Sequence, residues 1–286
     1  MLQKVAVKVS LKENPAMIIN MIKFLRNFGT KEIHLLHAAT KISSQQRLVI
    51  EEKLREISNE AKNLGYAIQI HIRMGHIPTS IIEMAEEEMV DYVALHWMPK
   101  SVFGSAMFGN IDSDILRLSN LPVFIHQPGL FKTGATLEQV LYATDFKYTD
   151  SVALPYLVDS RFKANSLYIL HVGARAPDPV TEQDRRKRVL KSLNRLAEEC
   201  AHAYDNVEAI ETRGSAGKQI VKQAAALDVD LIVVGKSEKP NAMSQVVGST
   251  AEILPHKTRC NIFIIPGLCR LCDFNSKGED YNEVEK

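Results

Sequence analysis

In the C-terminal half of this 286-residue chain, small, hydroxylated and acidic residues stand where short apolar runs end. Ala143, Thr144 and Asp145 close one run, and Val172 closes the next, just after His171. Val234 and Gly235 close another, and Gly248, Ser249 and Thr250 stand where a helix should open. These residue types suit the holding of a phosphorylated small molecule. A helix N-terminus offers unpaired N–H groups and the positive end of the helix dipole, which favour an anion. Glycine lets backbone approach that anion, and Ser and Thr add hydroxyl donors. Gly248-Ser249 alone would read equally as a loop and an ordinary N-cap. Asp145 and Gly235 at neighbouring strand ends turn the reading toward phosphate.

Other chemistry-bearing residues carry less. Cys269 and Cys272 form a Cys-x2-Cys pair that could hold zinc or an iron–sulfur cluster, or cycle as thiols. A tetrahedral site needs two further ligands, and Cys200 and Cys260 are single. Two chains would have to pool their pairs, or the pair is inert. The segment RGSAGKQ (213–219) hints at a phosphate loop, but lacks the glycine spacing and the hydroxyl after lysine. It reads as a strand-to-helix turn. His37 and His171 recur at equivalent strand positions, which suggests a shared packing or hydrogen-bonding role. The nine histidines show no HExxH spacing, and no GxSxG elbow occurs.

The elements that position these residues repeat. Residues 75–96 and 214–235 align without gaps, with Gly75, Ile81, Ala85, Val90 and Asp91 falling on Gly214, Ile220, Ala224, Val229 and Asp230. Gly109 falls on Gly248, and VFI (123–125) on IFI (262–264). Upstream, IHLLHA (33–38) matches LYILHV (167–172), and VAVKVS (5–10) matches VLYATD (140–145). Four matches in one order imply two copies of one fold. Each copy alternates apolar strands with amphipathic helices. In the second, strands are expected at 140–143, 167–172, 206–211, 231–234 and 261–265, with helices at 151–162, 182–204 and 217–227 and one opening at 249–254. In the first, strands are expected near 4–9, 32–37, 67–73, 92–95 and 123–126. Strands lacking alternation and separated by helices indicate a parallel sheet covered on both faces. The fold class is therefore α/β: two tandem five-stranded parallel-sheet domains of Rossmann-like type. They are expected over 1–130 and 136–267, with a tail at 268–286.

The residues VLYATDF, LYILHV and VDLIVVG…VVGST…NIFIIP resemble the universal stress protein family. Its nucleotide-binding members carry Gly-x2-Gly-x9-Gly-Ser/Thr after the fourth strand. Here Gly235 takes the first position, Glu238 stands in place of the second glycine, and Gly248-Ser249 follow at the family spacing. The resemblance covers both halves, specific in the second and degenerate in the first. It implies that Asp145 meets the ribose or base edge of an adenine nucleotide and that Val172 contacts the adenine. Ala143, Thr144, Val234 and Gly235 would line the pocket, and Gly248, Ser249 and Thr250 would hold the phosphates. A Glu238 carboxylate about 4 Å from a phosphate charge would cost up to ~4 kcal/mol at an effective dielectric near 20. That points to reduced preference for triphosphate, so AMP, ADP and ATP are all expected ligands, with Mg an optional companion and zinc a secondary option. In the first half, Ser10 replaces the strand-end acid, and His96 and Pro99 replace the motif glycines. Bulk at His96 and Trp97 should fill that pocket. Lys8, His96 and Asn110 leave open a different, anionic ligand.

Charge and length narrow the classes. Lys+Arg number 35 against 34 Asp+Glu, for a formal charge of +1, which argues against a broad nucleic-acid footprint. No apolar run approaches the ~20 residues of a membrane helix. The N-terminus shows no signal-peptide pattern. The expectation is a soluble, cytoplasmic regulatory protein that binds an adenine nucleotide in its second half and acts through a protein partner. Its halves are expected to pack as an intramolecular pseudo-dimer, with homo-oligomers a further option. Alternatives are a nucleotide hydrolase or transferase using the same pocket, or a thiol or metal sensor built on Cys269 and Cys272.

Overall fold

The computed structural model describes residues 1–97, 111–127, 137–146, 149–159, 161–162, 164–174, 177–236 and 249–267. The chain divides into two compact units, the first running through Ala135 and the second beginning at Thr136.

The first unit contains strands β1 (Lys4–Lys8), β2 (Glu32–Ala39), β3 (Ala67–Met74), β4 (Tyr92–His96) and β5 (Val123–His126). Between them run helices α1 (Pro15–Phe24), α2 (Ser44–Asn63), α3 (Ile77–Glu87) and α4 (Ile111–Leu118). The strands pair in parallel in the order β3–β2–β1–β4–β5. The second unit repeats this with β6 (Gln139–Thr144), β7 (Ser166–Gly173), β8 (Asn206–Arg213), β9 (Leu231–Lys236) and β10 (Asn261–Pro266). Its helices are α5 (Thr149–Leu157), α6 (Pro179–Cys200), α7 (Ala216–Ala226) and α8 (Ser249–Lys257). Its strand order is β8–β7–β6–β9–β10, again all parallel.

Local chemistry sets the helix starts. Ser43 and Gln46 form a reciprocal capping box before α2. Asp178 accepts from the amides of Val180 and Thr181 at 3.0 Å, with Pro179 opening α6. Helix α6 ends at Cys200 rather than at the expected 204, and Tyr204, beyond the helix, donates its hydroxyl to the Leu157 carbonyl at 2.7 Å. Helices α5 and α8 each continue through a proline, Pro155 and Pro255. Proline has no N–H to give to the preceding turn, so each helix lacks one ladder hydrogen bond there.

The repeat extends to single hydrogen bonds. Tyr66 donates to the Ile22 carbonyl at 2.8 Å, as Tyr204 does to Leu157. Asp91 accepts from the Gln3 and Lys4 amides, and Asp230 from those of Glu138 and Gln139. Gly75 and Gly214 both adopt positive φ, at 155° and 116°, where the third strand of each sheet turns into its helix. A side chain at Gly75 would also strike the Ser80 hydroxyl at 2.6 Å. RGSAGKQ is thus the turn that the sequence suggested.

The core of each unit sits on both sides of its central strand. Val5, Ala6 and Val7 of β1 are fully buried, as are Val140 and Leu141 of β6. In the first unit, the Phe124 ring lies against Phe24 and Phe28, at 5.4 and 5.2 Å between ring centres. Among the described residues, no helix is long and apolar enough to cross a membrane.

Candidate functional site

In the second sheet the chain reverses its winding between β6 and β9. From β6 it proceeds outward through β7 to β8, then returns to the other side of β6 as β9. In an open parallel sheet, the crevice beyond the carboxyl ends of such a strand pair is where ligands bind. The register brings the expected residues to that edge. Ala143 lies opposite Val234, and Thr144 opposite His171. One residue further along come Asp145, Val172 and Gly235. Asp145 is exposed, Val172 and Gly235 are half-buried, and Val234 is buried. Helix α8 packs on β9 and β10 and leads back to the start of β10, so its first turn, with Ser249 and Thr250, faces the same edge. Gly248, Glu238 and the side chain of Ser249 lie outside the described residues, as do Pro99, Gly109, Asn110, Cys269 and Cys272.

Beneath this edge is a polar floor that the sequence did not reveal. The Thr144 hydroxyl is turned inward, 2.7 and 2.8 Å from the two carboxylate oxygens of Asp150. Tyr142 donates its hydroxyl to the same carboxylate. The Thr144 oxygen also accepts the Phe146 amide at 2.9 Å. Phe146 holds a φ of 58°, uncommon for a non-glycine residue, and its ring stacks on His171 at 4.4 Å. Thr144 therefore shapes the crevice from within, while its side chain is committed to Asp150. Asp150 is almost wholly buried, and burial pushes its pKa up to about 6. A second unforeseen residue is Arg185 in α6. It bridges Glu182 and Glu211, at 3.0 and 2.7 Å, and lies over the end of β7. Glycine at 173 allows this, because a Cβ there would meet the guanidinium at 2.7 Å.

His171 donates through Nδ1 to the Thr144 carbonyl at 3.1 Å. His37 makes the same bond to Val9 at 2.8 Å. The shared structural role expected of these two histidines is present in both units.

At the corresponding edge of the first unit, the described side chains are larger and buried. Lys8, equivalent to Ala143, is buried between Asp112 and Glu13, with Nζ–O distances of 2.6 and 2.9 Å. His96, equivalent to Gly235, is buried against His126 at 3.1 Å. Trp97 is buried beside them, and its amide donates to the His126 carbonyl at 2.8 Å. Burial, with His96 nearby, pushes His126 down to about 3, so this imidazole is neutral at ordinary pH. The anionic ligand considered for Lys8 loses its support, since two carboxylates already take that ammonium.

Cys200 and Cys260 do not look reactive. Burial pushes both thiols up to about 12, far from the thiolate that redox or metal chemistry needs. Metal-capable side chains instead converge in the first unit, at His34, His71 and Glu88.

Comparison with known proteins agrees with this architecture. Residues 136–266 match the profile of the Universal stress protein family. A universal stress protein from Archaeoglobus fulgidus has a similar structure, with a TM-score of 0.72 and 19% identity, covering 94% of this chain and 100% of that one. A putative universal stress protein from Pseudomonas aeruginosa gives 0.68 and 16%, covering 92% and 93%. A functionally unknown protein from Pseudomonas aeruginosa gives 0.66 and 15%, covering 92% of each chain. At these identities the likeness is one of fold, and it spans both units. No curated protein sequence matches the chain significantly.

Proposed function

Residues 136–266 belong to the universal stress protein family, and from that premise we propose that the second unit binds an adenine nucleotide. Bound nucleotide would then set how the chain engages a protein partner in the cytoplasm. The observation that carries this reading is the contrast between two equivalent sheet edges. In the second unit, Ala143, Asp145 and Gly235 leave the switch-point crevice lined by small residues and one exposed carboxylate. In the first, Lys8, His96 and Trp97 occupy the corresponding volume with buried side chains. Asp145 suits the hydroxyl or amino donors of a nucleoside. Gly235 permits close approach, and the first turn of α8 suits phosphate.

Calorimetric titration of the full chain with AMP, ADP and ATP, with and without magnesium, tests this. One nucleotide per chain is expected, with comparable affinities for the three because of Glu238. Asp145→Ala should weaken binding at least ten-fold, of the order expected when a charged hydrogen-bond partner is lost. Two equivalent sites would overturn the assignment to one unit, and a large preference for ATP would overturn the role given to Glu238. Phosphate release in the same samples separates binding from hydrolysis. Turnover that disappears in Asp145→Ala would make the protein an enzyme.

A further inference from the structure

His34 on β2, His71 on β3 and Glu88 just after α3 come from three separate elements of the first unit. Parallel pairing sets Leu36 opposite His71 and His34 opposite Gln69, so the two histidines are diagonal neighbours on one face of the sheet. Their nitrogens, His34 Nδ1 and His71 Nε2, are 3.1 Å apart. The Glu88 carboxylate stands 3.7 Å from His34 Nδ1 and 3.4 Å from His71 Nδ1. We propose that these three side chains form a binding site for a divalent transition-metal ion of the zinc class.

Spacing supports the assignment. Ligand atoms about 2.0–2.2 Å from a tetrahedral ion stand roughly 3.3–3.6 Å from one another. The observed 3.1 and 3.7 Å bracket that range. Two imidazoles with one carboxylate is a donor set suited to zinc, nickel or copper rather than to magnesium or calcium.

The surroundings fix the histidine tautomer. Glu32 lies 3.0 Å from His34 Nε2 and also accepts from Gln69 at 3.0 Å. A carboxylate there accepts a hydrogen bond from His34 Nε2–H and leaves the Nδ1 lone pair facing His71 and Glu88. Metal-binding histidines are commonly oriented in this way. Without an ion, a neutral His71 cannot serve both neighbours. If its Nε2–H donates to His34, its Nδ1 lone pair faces a carboxylate oxygen. An ion accepting the lone pairs of His34 Nδ1 and His71 Nε2 removes that conflict, because His71 Nδ1–H is then free to donate to Glu88.

The second unit supplies an internal comparison. At the equivalent places stand Tyr168 on β7, Ile210 on β8 and Leu227 after α7. All three candidate ligands are present in one unit, and all three are missing from the other. The ordinary demands of this fold therefore do not require them. His34 is buried, whereas the His71 and Glu88 side chains are 21% and 32% exposed. One coordination position therefore remains open toward solvent.

The test uses the full chain carrying Cys272→Ser, so that the Cys269–Cys272 pair cannot supply the ligands. Titration with cobalt(II), read by its visible ligand-field absorption, followed by displacement with zinc, should show one ion per chain. Zinc should raise the thermal midpoint. In that background, His71→Ala and Glu88→Gln should each weaken binding at least ten-fold and abolish the thermal shift, with an unchanged far-UV dichroism spectrum. Glu32→Gln should weaken binding ten- to a hundred-fold while leaving the three ligands in place. No uptake by the Cys272→Ser chain would overturn the site. So would full uptake by both His71→Ala and Glu88→Gln.

Discussion

Replacing Lys8 with methionine should lower the stability of the first unit by about 3–5 kcal/mol, the range for breaking a buried ion pair from one side. The ammonium is buried with Asp112 and Glu13, 2.6 and 2.9 Å away, so methionine removes a cation in direct contact with both carboxylates. Burial opposes the charge on Lys8, but Asp112 and Glu13 more than offset this and raise its pKa above the ordinary value. A raised lysine pKa contributes stability that is present at neutral pH and lost only at strongly alkaline pH. Glu13 also lies above the usual carboxylate range, chiefly through burial. The penalty of Lys8→Met should therefore shrink on acidification, as the buried carboxylates take up protons. Urea unfolding at pH 7 and pH 5 reads both effects. The triple variant Lys8→Met, Glu13→Gln, Asp112→Asn should recover most of the loss. A cost below about 1 kcal/mol for Lys8→Met would mean that water reaches the trio.

Asp150→Asn should act in the opposite sense. A carboxyl whose folded pKa is about 6, against an ordinary 3.8, binds its proton more tightly in the folded chain. Its contribution therefore favours folding at low pH and is lost as pH rises from about 4 through 6. At about 1.4 kcal/mol per pH unit, that gap is worth about 3 kcal/mol. Asparagine cannot ionise, yet keeps an oxygen for Tyr142 and Thr144. Relative to the parent, the variant should gain about 3 kcal/mol of stability between pH 4 and pH 7, measured by denaturant unfolding across that range. An equal pH dependence in both proteins would show that Asp150 is ionised in the fold and stabilised by its two hydroxyl donors.

The parts of this protein legible in sequence are those written in short-range pattern. Apolar runs such as 231–234 and 262–265 set strands, and the repeated Gly-to-Asp segments set the order of elements in both halves. The strand-end residues Asp145, Val172 and Gly235 followed, because their position depends only on where a strand stops. Three kinds of feature stayed hidden. Asp150 stands just before the helix expected at 151–162, and only packing shows it buried beneath Thr144. Lys8 reads as a cation near a ligand edge, because Asp112 is brought to it by a helix remote in sequence. His34, His71 and Glu88 share no motif spacing, since parallel register and a helix end create their proximity. Histidine motifs detect ligands on one element, and this cluster draws on three.

The His37 and His171 tethers bear on how the two halves came to differ. Each imidazole clasps the main-chain carbonyl at the end of its sheet's central strand. Each also stays below the usual histidine pKa, chiefly through burial. The clasp is identical in the two halves, although Ala143 faces Lys8, Asp145 faces Ser10 and Gly235 faces His96 in the comparison. A duplicated ancestor with this division of labour could exchange its recognition residues without loosening its frame. The histidine holds the strand end whether or not a guest arrives. The same frame thus carries a buried ion pair at Lys8 in one half and the small Ala143 at the equivalent place in the other.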